Sequence, residues 1–581
     1  RVFGNINATF NLHKKFSAML RGGIDMNQEE RTYTRPWSSK MSPNGEYREQ
    51  IIQNYEMNMD FMLKYDDKFG ADKEFGVTTT FGGNHMKMRS TNENQTARSL
   101  LLPGYYTLSN AVDNVYATKT NSKKVINSLY GLIQLSYKNY LFIDVTGRND
   151  WSSTLPIQNN SYFYPSVSTS LLFNEMLDWK NDKLSFSTLR LSYAKVGNDT
   201  KAYQLSRLYA ASEFGGSYTI STTVPDINLK PEDVTSYEIG TELKFLNNKA
   251  GLDVTYYNSE SSNLIVNMPV DPSSGAWYVL TNAGKIRNRG WEVAAFVTPI
   301  SIKDFTWRVN ASWSKNNTKV LKLADGISSW IISSGPRGQI EARVGGTMTA
   351  MYGSGFKRAP EGTFVTNADG TTTDVSNKIM YDASTGYPIV DTENSKYIGD
   401  VAPDWKGSLG STFTYKAFTL KVLFDMQKGG KVYSLSNNKL NQFGKTTKTL
   451  EGRYDGLIGD GVVLNSDGSY SMNTTVTKSI SEYYATYYGI DNVEANMVET
   501  EYIKLREVSL EYSIPKKVLN KIKFIKSASF SIYGRDLYCW TNYPIFDPEV
   551  ATLNGSEITP GFETAQFPST RSFGASVRVS F

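Results

Sequence analysis

The stretch that decides how this chain is read is SFGASVRVSF, Ser572 to Phe581, its last ten residues. Side chains alternate between the two faces of a β-strand. Phe573, Ala575, Val577, Val579 and Phe581 therefore share one face, and Ser572, Gly574, Ser576, Arg578 and Ser580 share the other. One face is apolar; the other is polar and carries a charge. A soluble sheet does this with its apolar face in a core. A membrane barrel does it with apolar residues toward lipid and polar residues toward a wet lumen.

Working outward, the same alternation recurs. Leu189, Leu191 and Tyr193 oppose Arg190, Ser192 and Ala194. Phe305, Trp307, Val309, Ala311 and Trp313 oppose Thr306, Arg308, Asn310, Ser312 and Ser314. Phe418, Leu420, Val422, Phe424 and Met426 oppose Thr419, Lys421, Leu423, Asp425 and Gln427. Read this way, the chain holds about 17 strands of barrel-spanning length. They lie near 3–12, 16–26, 50–65, 73–89, 124–137, 139–149, 161–175, 184–198, 234–246, 250–259, 288–299, 304–316, 406–416, 418–428, 502–514, 527–538 and 572–581. Mean hydropathy is −0.40, and no apolar run approaches the ~20 residues of a membrane helix. Barrel strands dilute each apolar residue with a polar neighbour, so this does not make the chain soluble. Its aromatic carboxyl-terminus, Phe581, resembles the assembly signal that ends bacterial outer-membrane barrels.

The connections sort by length. Short ones fall near Leu12–Lys15, Asp66–Ala71, Lys138–Asn139, Leu177–Asp182, Asn247–Lys249, Ile300–Lys303, Lys416–Ala417 and Pro515–Lys526. Long ones fall near 27–49, 90–123, 150–160, 199–233, 260–287, 317–405, 429–501 and 539–571. Such alternation is expected when all turns of one kind lie on one side of a membrane, with the long loops extracellular. Residues 1–581 are thus read as one antiparallel transmembrane β-barrel, all-β in class, with extracellular loops near 199–233, 260–287, 317–405, 429–501 and 539–571. Arg1 opens the chain already inside a strand pattern, so further strands and any export signal are expected upstream. A total of ~22 strands, as in the plugged transporters, puts about five before Arg1 and gives both termini the same side.

Composition excludes several functions. There are 62 basic and 57 acidic residues, for a net charge of +5, and no basic domain stands out, which excludes nucleic acid as a partner. His13, His85 and the lone Cys539 cannot assemble a His/Cys zinc cluster; Ser-His-Asp chemistry would need one of these two histidines, and no GxSxG elbow is present. The chain is read as not an enzyme, with no catalytic residues, no metal ligands and no cofactor. NADGTTTD (Asn367–Asp374) and NSDGSY (Asn465–Tyr470) look Asp-rich in the manner of calcium loops but lack the closing Glu. They are read as hairpin turns; a structural calcium in the loops or a partner is the alternative.

Binding candidates are loop aromatics: Trp277, Tyr278, Trp330, Tyr483, Tyr484, Tyr487 and Tyr488. Aromatic faces stack on sugars and anchor protein interfaces; the bland reading is packing within the loops. A lipid-facing Arg at mid-bilayer costs about 2–4 kcal/mol, so Arg190, Arg308 and Arg578 are expected to face the lumen. The basic turn PKKVLNKIKFIK (Pro515–Lys526) is read as a solvated turn, with anionic headgroups as the alternative neighbour.

Several stretches together resemble SusC-type TonB-dependent transporters of Bacteroidota, the SusC/RagA family. They are GRNDWSSTLP (Gly147–Pro156), SYFYPSVSTSLLF (Ser161–Phe173), LRLSYAKVGN (Leu189–Asn198), NLKPEDVTSYEIGTEL (Asn228–Leu243), NAGKIRNRGWEV (Asn282–Val293), YIGDVAPDWKGSLGSTFTYKAFTL (Tyr397–Leu420), YIKLREVSLEYSIP (Tyr502–Pro515) and YGRDLYCWTNYPIFDPEV (Tyr533–Val550). The resemblance implies the carboxyl-terminal barrel portion of such a protein in a Gram-negative outer membrane, with the plug domain outside this chain. It implies TonB-dependent import of an oligosaccharide or a peptide. It further implies a SusD-like surface lipoprotein as lid, TonB contacted through the missing amino-terminal part, and a dimer of transporter–lipoprotein pairs. The rivals are a soluble or surface-attached β-rich glycan-binding protein and a passive outer-membrane pore.

Overall fold

Alternating faces build long antiparallel ladders. The computed structural model describes the chain except residues 180–181, 212–216, 336, 522–523, 550–551, 555–556 and 560. Among the described residues eighteen strands have nine residues or more; one, Val390–Asp400, falls inside the expected long loop 317–405, and the other seventeen correspond one to one to the seventeen expected. They are Val2–His13, Phe16–Ser39, Ser42–Phe69, Phe75–Ala97, Tyr116–Tyr137, Leu141–Ser152, Ser161–Leu172, Leu184–Asn198, Glu232–Phe245, Ala250–Pro269, Tyr278–Ser301, Phe305–Lys322, Trp405–Tyr415, Phe418–Lys428, Tyr502–Ser513, Ser527–Thr541 and Ser572–Ser580. The chain divides into two units. The first comprises Arg1–Asn181, Phe186–Thr241 and Tyr257–Lys285; the second comprises Asp182–Ser185, Glu242–Tyr256 and Ile286–Phe581.

In the first unit, consecutive strands from Val2 to Asn198 pair antiparallel with their neighbours in order. Register carries one face across the ladder: Ala18 pairs with Leu63, Leu63 with Phe81, Phe81 with Gly131, Gly131 with Gly147. This is the apolar face, and its side chains lie at the surface, as Leu20, Phe61, Ile133, Val145 and Val167 do. A face of exposed large apolar side chains running across so many strands is an oily surface seeking lipid, not a water-facing one.

The expected long loops at 27–49 and 90–123 are corrected by the structure. Strand Phe16–Ser39 is 24 residues long and its partner Ser42–Phe69 is 28, against the ~9–11 that cross a bilayer. Glu30 pairs with Ile51, Arg31 with Gln50 and Tyr33 with Arg48, with only a tight turn at Lys40–Met41. Beyond the bilayer both faces of a hairpin meet water, so apolar–polar alternation lapses and the residues read as loop. The backbone pairing continues all the same, with Arg48 over the Tyr33 ring at 5.1 Å. The loop at 260–287 likewise shortens, since strands run to Pro269 and resume at Tyr278.

In the second unit, Phe305–Lys322, Trp405–Tyr415, Phe418–Lys428, Tyr502–Ser513, Ser527–Thr541 and Ser572–Ser580 form a second antiparallel series. Its apolar face carries Trp307, Phe413, Leu420, Leu510, Ile532 and Ala575 in register. A β-bulge interrupts it where Arg506 meets Asp536 and Leu537, and Asp536 takes the left-handed φ of 51° that accommodates the extra residue. The segments 323–404 and 429–501 fold into a body of short strands and helices with apolar cores of their own. One core gathers Ile340, Met351, Tyr433 and Val493 with Phe562 of the last loop. A second gathers Ala359, Val365, Val375, Met380 and Val462.

Candidate functional site: the polar face and the loop bodies

On the first unit's polar face, charged and hydroxylic side chains interlock. Arg21 pairs with Asp60 at 2.8 Å, and the Asn84 amide donates to the same carboxylate at 2.8 Å. Arg148 donates to Asp150 at 2.8 Å and to the Ser128 hydroxyl at 2.8 Å, and the Tyr164 hydroxyl donates to Asp150 at 2.6 Å. These residues stand opposite the apolar face by register, and Asp60 and Asp150 are buried. Such a wall keeps every charge hydrogen-bonded while presenting polar groups to whatever lies before it.

Above this wall the first unit's loops are tied together. Asp199 is buried and accepts from Lys124 at 2.5 Å, from the Thr154 hydroxyl at 3.1 Å and from the Ser152 hydroxyl. Leu155, Leu229 and Leu280 form a small core with Tyr162, Leu205 and Ile265 packed on it. Arg207 donates to the carbonyls of Ser221 at 3.0 Å and Gly275 at 2.7 Å. This leaves Trp277, 60% exposed, and Tyr278, 40% exposed, on the surface of a braced loop.

The tyrosine run in the second unit is placed differently. Tyr483 and Tyr484, 5% and 8% exposed, lie in a core with Tyr381 and Val463, and Tyr487 and Tyr488 pack against it. Tyr483 and Tyr484 meet edge to face at 5.3 Å. Burial pushes the Tyr488 hydroxyl up to about 12. The helix Ile480–Tyr487, capped by the Ser479 hydroxyl, puts successive tyrosines on its buried side. Trp330 is half-buried against Val320, Leu323 and Ala342. Of the seven aromatics, Trp277 and Tyr278 thus offer the most free surface, while Tyr483 and Tyr484 hold a loop body together.

The three arginines all occupy polar faces by register. Arg190 stands opposite Ser170, Arg308 opposite Thr412 and Arg578 opposite Ser529. The Arg308 guanidinium lies over the Phe296 ring at 4.2 Å. Phe581 stacks on Phe524 with centroids 6.2 Å apart.

A constellation the sequence reading did not single out lies at the upper end of the second unit's polar face. Lys504, 2% exposed, donates to Asp547 at 2.6 Å and to Glu549. Arg506, aimed by the bulge, donates to Asp536 at 2.8 Å, to Glu549 at 2.9 Å and to Asp425. The Tyr502 hydroxyl adds a bond to Glu549 at 2.8 Å. Burial opposes the charges on Asp547 and Glu549, but the bonds from Lys504, joined by Ser569 at Asp547 and by Tyr502 and Arg506 at Glu549, together outweigh it and hold both below the usual carboxylate range. The last loop is thus pinned to the strand wall. It is pinned a second time by Glu563, 1% exposed. That carboxylate accepts from the hydroxyls of Ser434 at 2.6 Å and Ser436 at 2.7 Å, and from the backbone N–H groups of Ser436, Ala565 and Gln566. The available signal was the alternation of Lys504 and Arg506 in YIKLREVS and the acidic pair in FDPEV.

Asn367–Asp374 and Asn465–Tyr470 close two hairpins, in which Asp369 and Asp467 accept from Thr371 and Ser469 within their own turns. Hydrogen bonds from those hydroxyls lower the pKa of both carboxylates.

Strands with one lipid-seeking face and one polar, ion-paired face define the class of outer-membrane β-barrels. The family described as "TonB dependent receptor-like, beta-barrel" matches residues 3–493, and the chain belongs to it. TonB-dependent receptor P3 of Formosa agariphila is 23% identical over 549 residues, covering 89% of this chain and 52% of the relative. TonB-dependent receptor SusC of Bacteroides thetaiotaomicron is 25% identical over 343 residues, covering 56% and 33%. In fold the chain is similar to a chain of the RagAB peptide transporter, with a TM-score of 0.75 and 16% identity, covering 100% of this chain and 62% of that one. The chain spans about half the length of the curated relatives P3, P26 and P39. The relatives P3 and SusC are proteins of Bacteroidota, and the family to which the chain belongs is one of outer-membrane TonB-dependent receptors, not enzymes.

Proposed function

We propose that this chain forms the barrel wall and loop bodies of a transporter that imports a nutrient oligomer, an oligosaccharide or a peptide, across the outer membrane. The cargo is held beneath a SusD-like surface lipoprotein, and energy reaches the barrel through TonB. The observation that carries the reading is the polar face. Arg21, Asp60, Arg148, Asp150 and Tyr164 form a fully hydrogen-bonded wall on strands whose other face is apolar, which suits a wet passage for a hydrated solute. The fold likeness to the RagAB peptide transporter supports an assembly of the same general kind. The braced loop bearing Trp277 and Tyr278 is the favoured contact for cargo or lid. In the test, cells carrying the full-length protein are grown on fluorescently labelled glycan or peptide mixtures, with and without TonB. Uptake lost on deleting either this protein or TonB supports import; uptake that survives loss of TonB points to a passive pore and refutes the energised mechanism.

A further inference from the structure

Strand Phe75–Ala97 changes character along its apolar face. Phe75, Val77, Phe81 and Gly83 give way to His85, Lys87 and Arg89 on that same face. Register brings strand Tyr116–Tyr137 alongside, with Phe75 opposite Tyr137, His85 opposite Asn127, Lys87 opposite Val125 and Arg89 opposite Lys123. The Phe75 and Tyr137 rings lie 4.7 Å apart and mark the short-turn end of the apolar band. From Phe75 to His85, and from Tyr137 to Asn127, the strands rise about 25 Å at about 3.3 Å per residue and a tilt of roughly 40°, the height of that band. His85 and Asn127, hydrogen-bonded through their side chains at 2.7 Å, close it. Lys87, Arg89 and Lys123 therefore stand just beyond the hydrocarbon, on the lipid side of the sheet, at the end where the chain enters the longer connection 98–115.

All three side chains are exposed, and among the described residues no ion pair engages any of them. Glu93, further along the same face, is taken by Lys119 at 2.5 Å. Lys124, which faces the opposite way, is paired with Asp199 at 2.5 Å. Like charges directly opposite on neighbouring strands are destabilising, and Arg89 and Lys123 are such a pair. Lys87 adds a third cation two residues along. An anion seated among them relieves the repulsion, and phosphate oxygens accept charge-assisted hydrogen bonds from Arg and Lys. Toward the bilayer the same face turns apolar, with Met59, Phe61, Phe81, Leu129 and Ile133 exposed on it. Tyr55, opposite Arg89, supplies a ring of the kind that sits at a membrane interface. Cations above an oily strip match an amphipathic anion. A free phosphate would use the cations and leave the strip unmatched.

We propose that Lys87, Arg89 and Lys123 form a binding site for the headgroup phosphates of a lipid in the leaflet at the long-loop end, which in outer-membrane barrels is the outer leaflet. Its acyl chains lie along Met59, Phe81 and Leu129. The site is on the lipid side of the sheet, apart from the polar face that carries the import reading, and its test reads no uptake.

The full-length protein is exchanged into a non-ionic detergent and titrated with diphosphoryl lipid A or with the same lipid stripped of its phosphates, and retained lipid is read by native mass spectrometry. Diphosphoryl lipid A is expected to stay bound in the presence of excess inorganic phosphate, and the stripped lipid to bind about ten-fold more weakly or worse, the scale of one charge-assisted hydrogen bond. The Lys87→Gln/Arg89→Gln/Lys123→Gln variant changes only exposed side chains and removes a like-charge contact; its assembly is checked by heat-modifiable mobility. It is expected to lose about as much affinity for diphosphoryl lipid A as removal of the phosphates does. Lys138→Gln, at an exposed cation of the opposite rim, is expected to bind as the unaltered protein does. Equal binding of the two lipids, displacement by inorganic phosphate, indifference to the triple substitution, or an equal loss in Lys138→Gln would each overturn the proposal. So would a dimer that retains no lipid and that the triple substitution separates, which would assign this face to a second copy of the chain.

Discussion

Val422 and Leu423 are neighbours on one strand and face opposite ways, so the same substitution at each separates lipid from lumen. Val422 is the fifth of eleven residues in Phe418–Lys428, in register with Ser411 and Val508 on the apolar face. Leu423 is the sixth, on the polar face opposite Gly410 and Glu507. At about 3.3 Å per residue and a tilt of roughly 40°, eleven residues rise about 25 Å, the height of the apolar band. Both positions therefore sit within a residue of the bilayer midplane. Val422→Arg is expected to cost about 2–4 kcal/mol, which lowers the folding equilibrium constant about 30- to 700-fold. Leu423→Arg, beside Glu507 and in a wet passage, is expected to cost under about 1 kcal/mol, the scale of an exposed charge next to a carboxylate. The assay is reversible guanidinium unfolding of the full-length protein in lipid vesicles, followed by tryptophan fluorescence. Equal costs at the two positions, or a larger cost at Leu423, would refute the facing of this strand.

Other predictions follow from the loop anchors. Lys504→Met strands the Asp547 carboxylate without its cation and leaves Glu549 to Arg506 and Tyr502; it is expected to weaken the last loop's anchorage by about 3–5 kcal/mol, read as faster hydrogen exchange over 542–571. The pKa values of Asp547 and Glu549 are lowered on folding, so this anchorage is complete above their unfolded values of about 4 and is lost as pH falls through the lower folded values. Exchange over the loop should be flat from pH 5 to 8 once corrected for intrinsic rates, and loosening near pH 6 would contradict the assignment. Tyr483→Ala, which empties a buried ring site, is expected to destabilise the loop body by about 3 kcal/mol, detected by limited proteolysis. Trp277→Ala should leave proteolysis unchanged and weaken binding of cargo or lid, measured by titration of the purified complex.

What was legible in the sequence follows from which solvents the two faces meet. Strand Phe418–Lys428 has lipid on one side and water on the other, so its alternation is complete and its expected bounds match the structure. Phe16–Ser39 was legible only to about Met26, because beyond the bilayer both faces meet water and the pairing of Glu30 with Ile51 leaves no periodic trace. The ion-pair cluster was hidden for another reason. Lys504 and Asp547 are 43 residues apart, and nothing local in either marks the other as its partner. The tyrosines at 483–488 were visible as a cluster, but whether a ring packs inward or meets a ligand is decided by Tyr381 and Val463, far away in sequence. The hairpins at Asn367 and Asn465 were legible because Asp-Gly turns carry their own hydrogen bonds.

The most direct test of the central claim is the intact mass of the detergent-extracted outer-membrane complex that contains this chain, with every released polypeptide identified. The account predicts a membrane-embedded transporter carrying further polypeptide beyond these 581 residues, held together with a lipidated surface protein. A water-soluble monomer that needs no detergent, or a membrane barrel extracted alone with no lipoprotein partner, would contradict it.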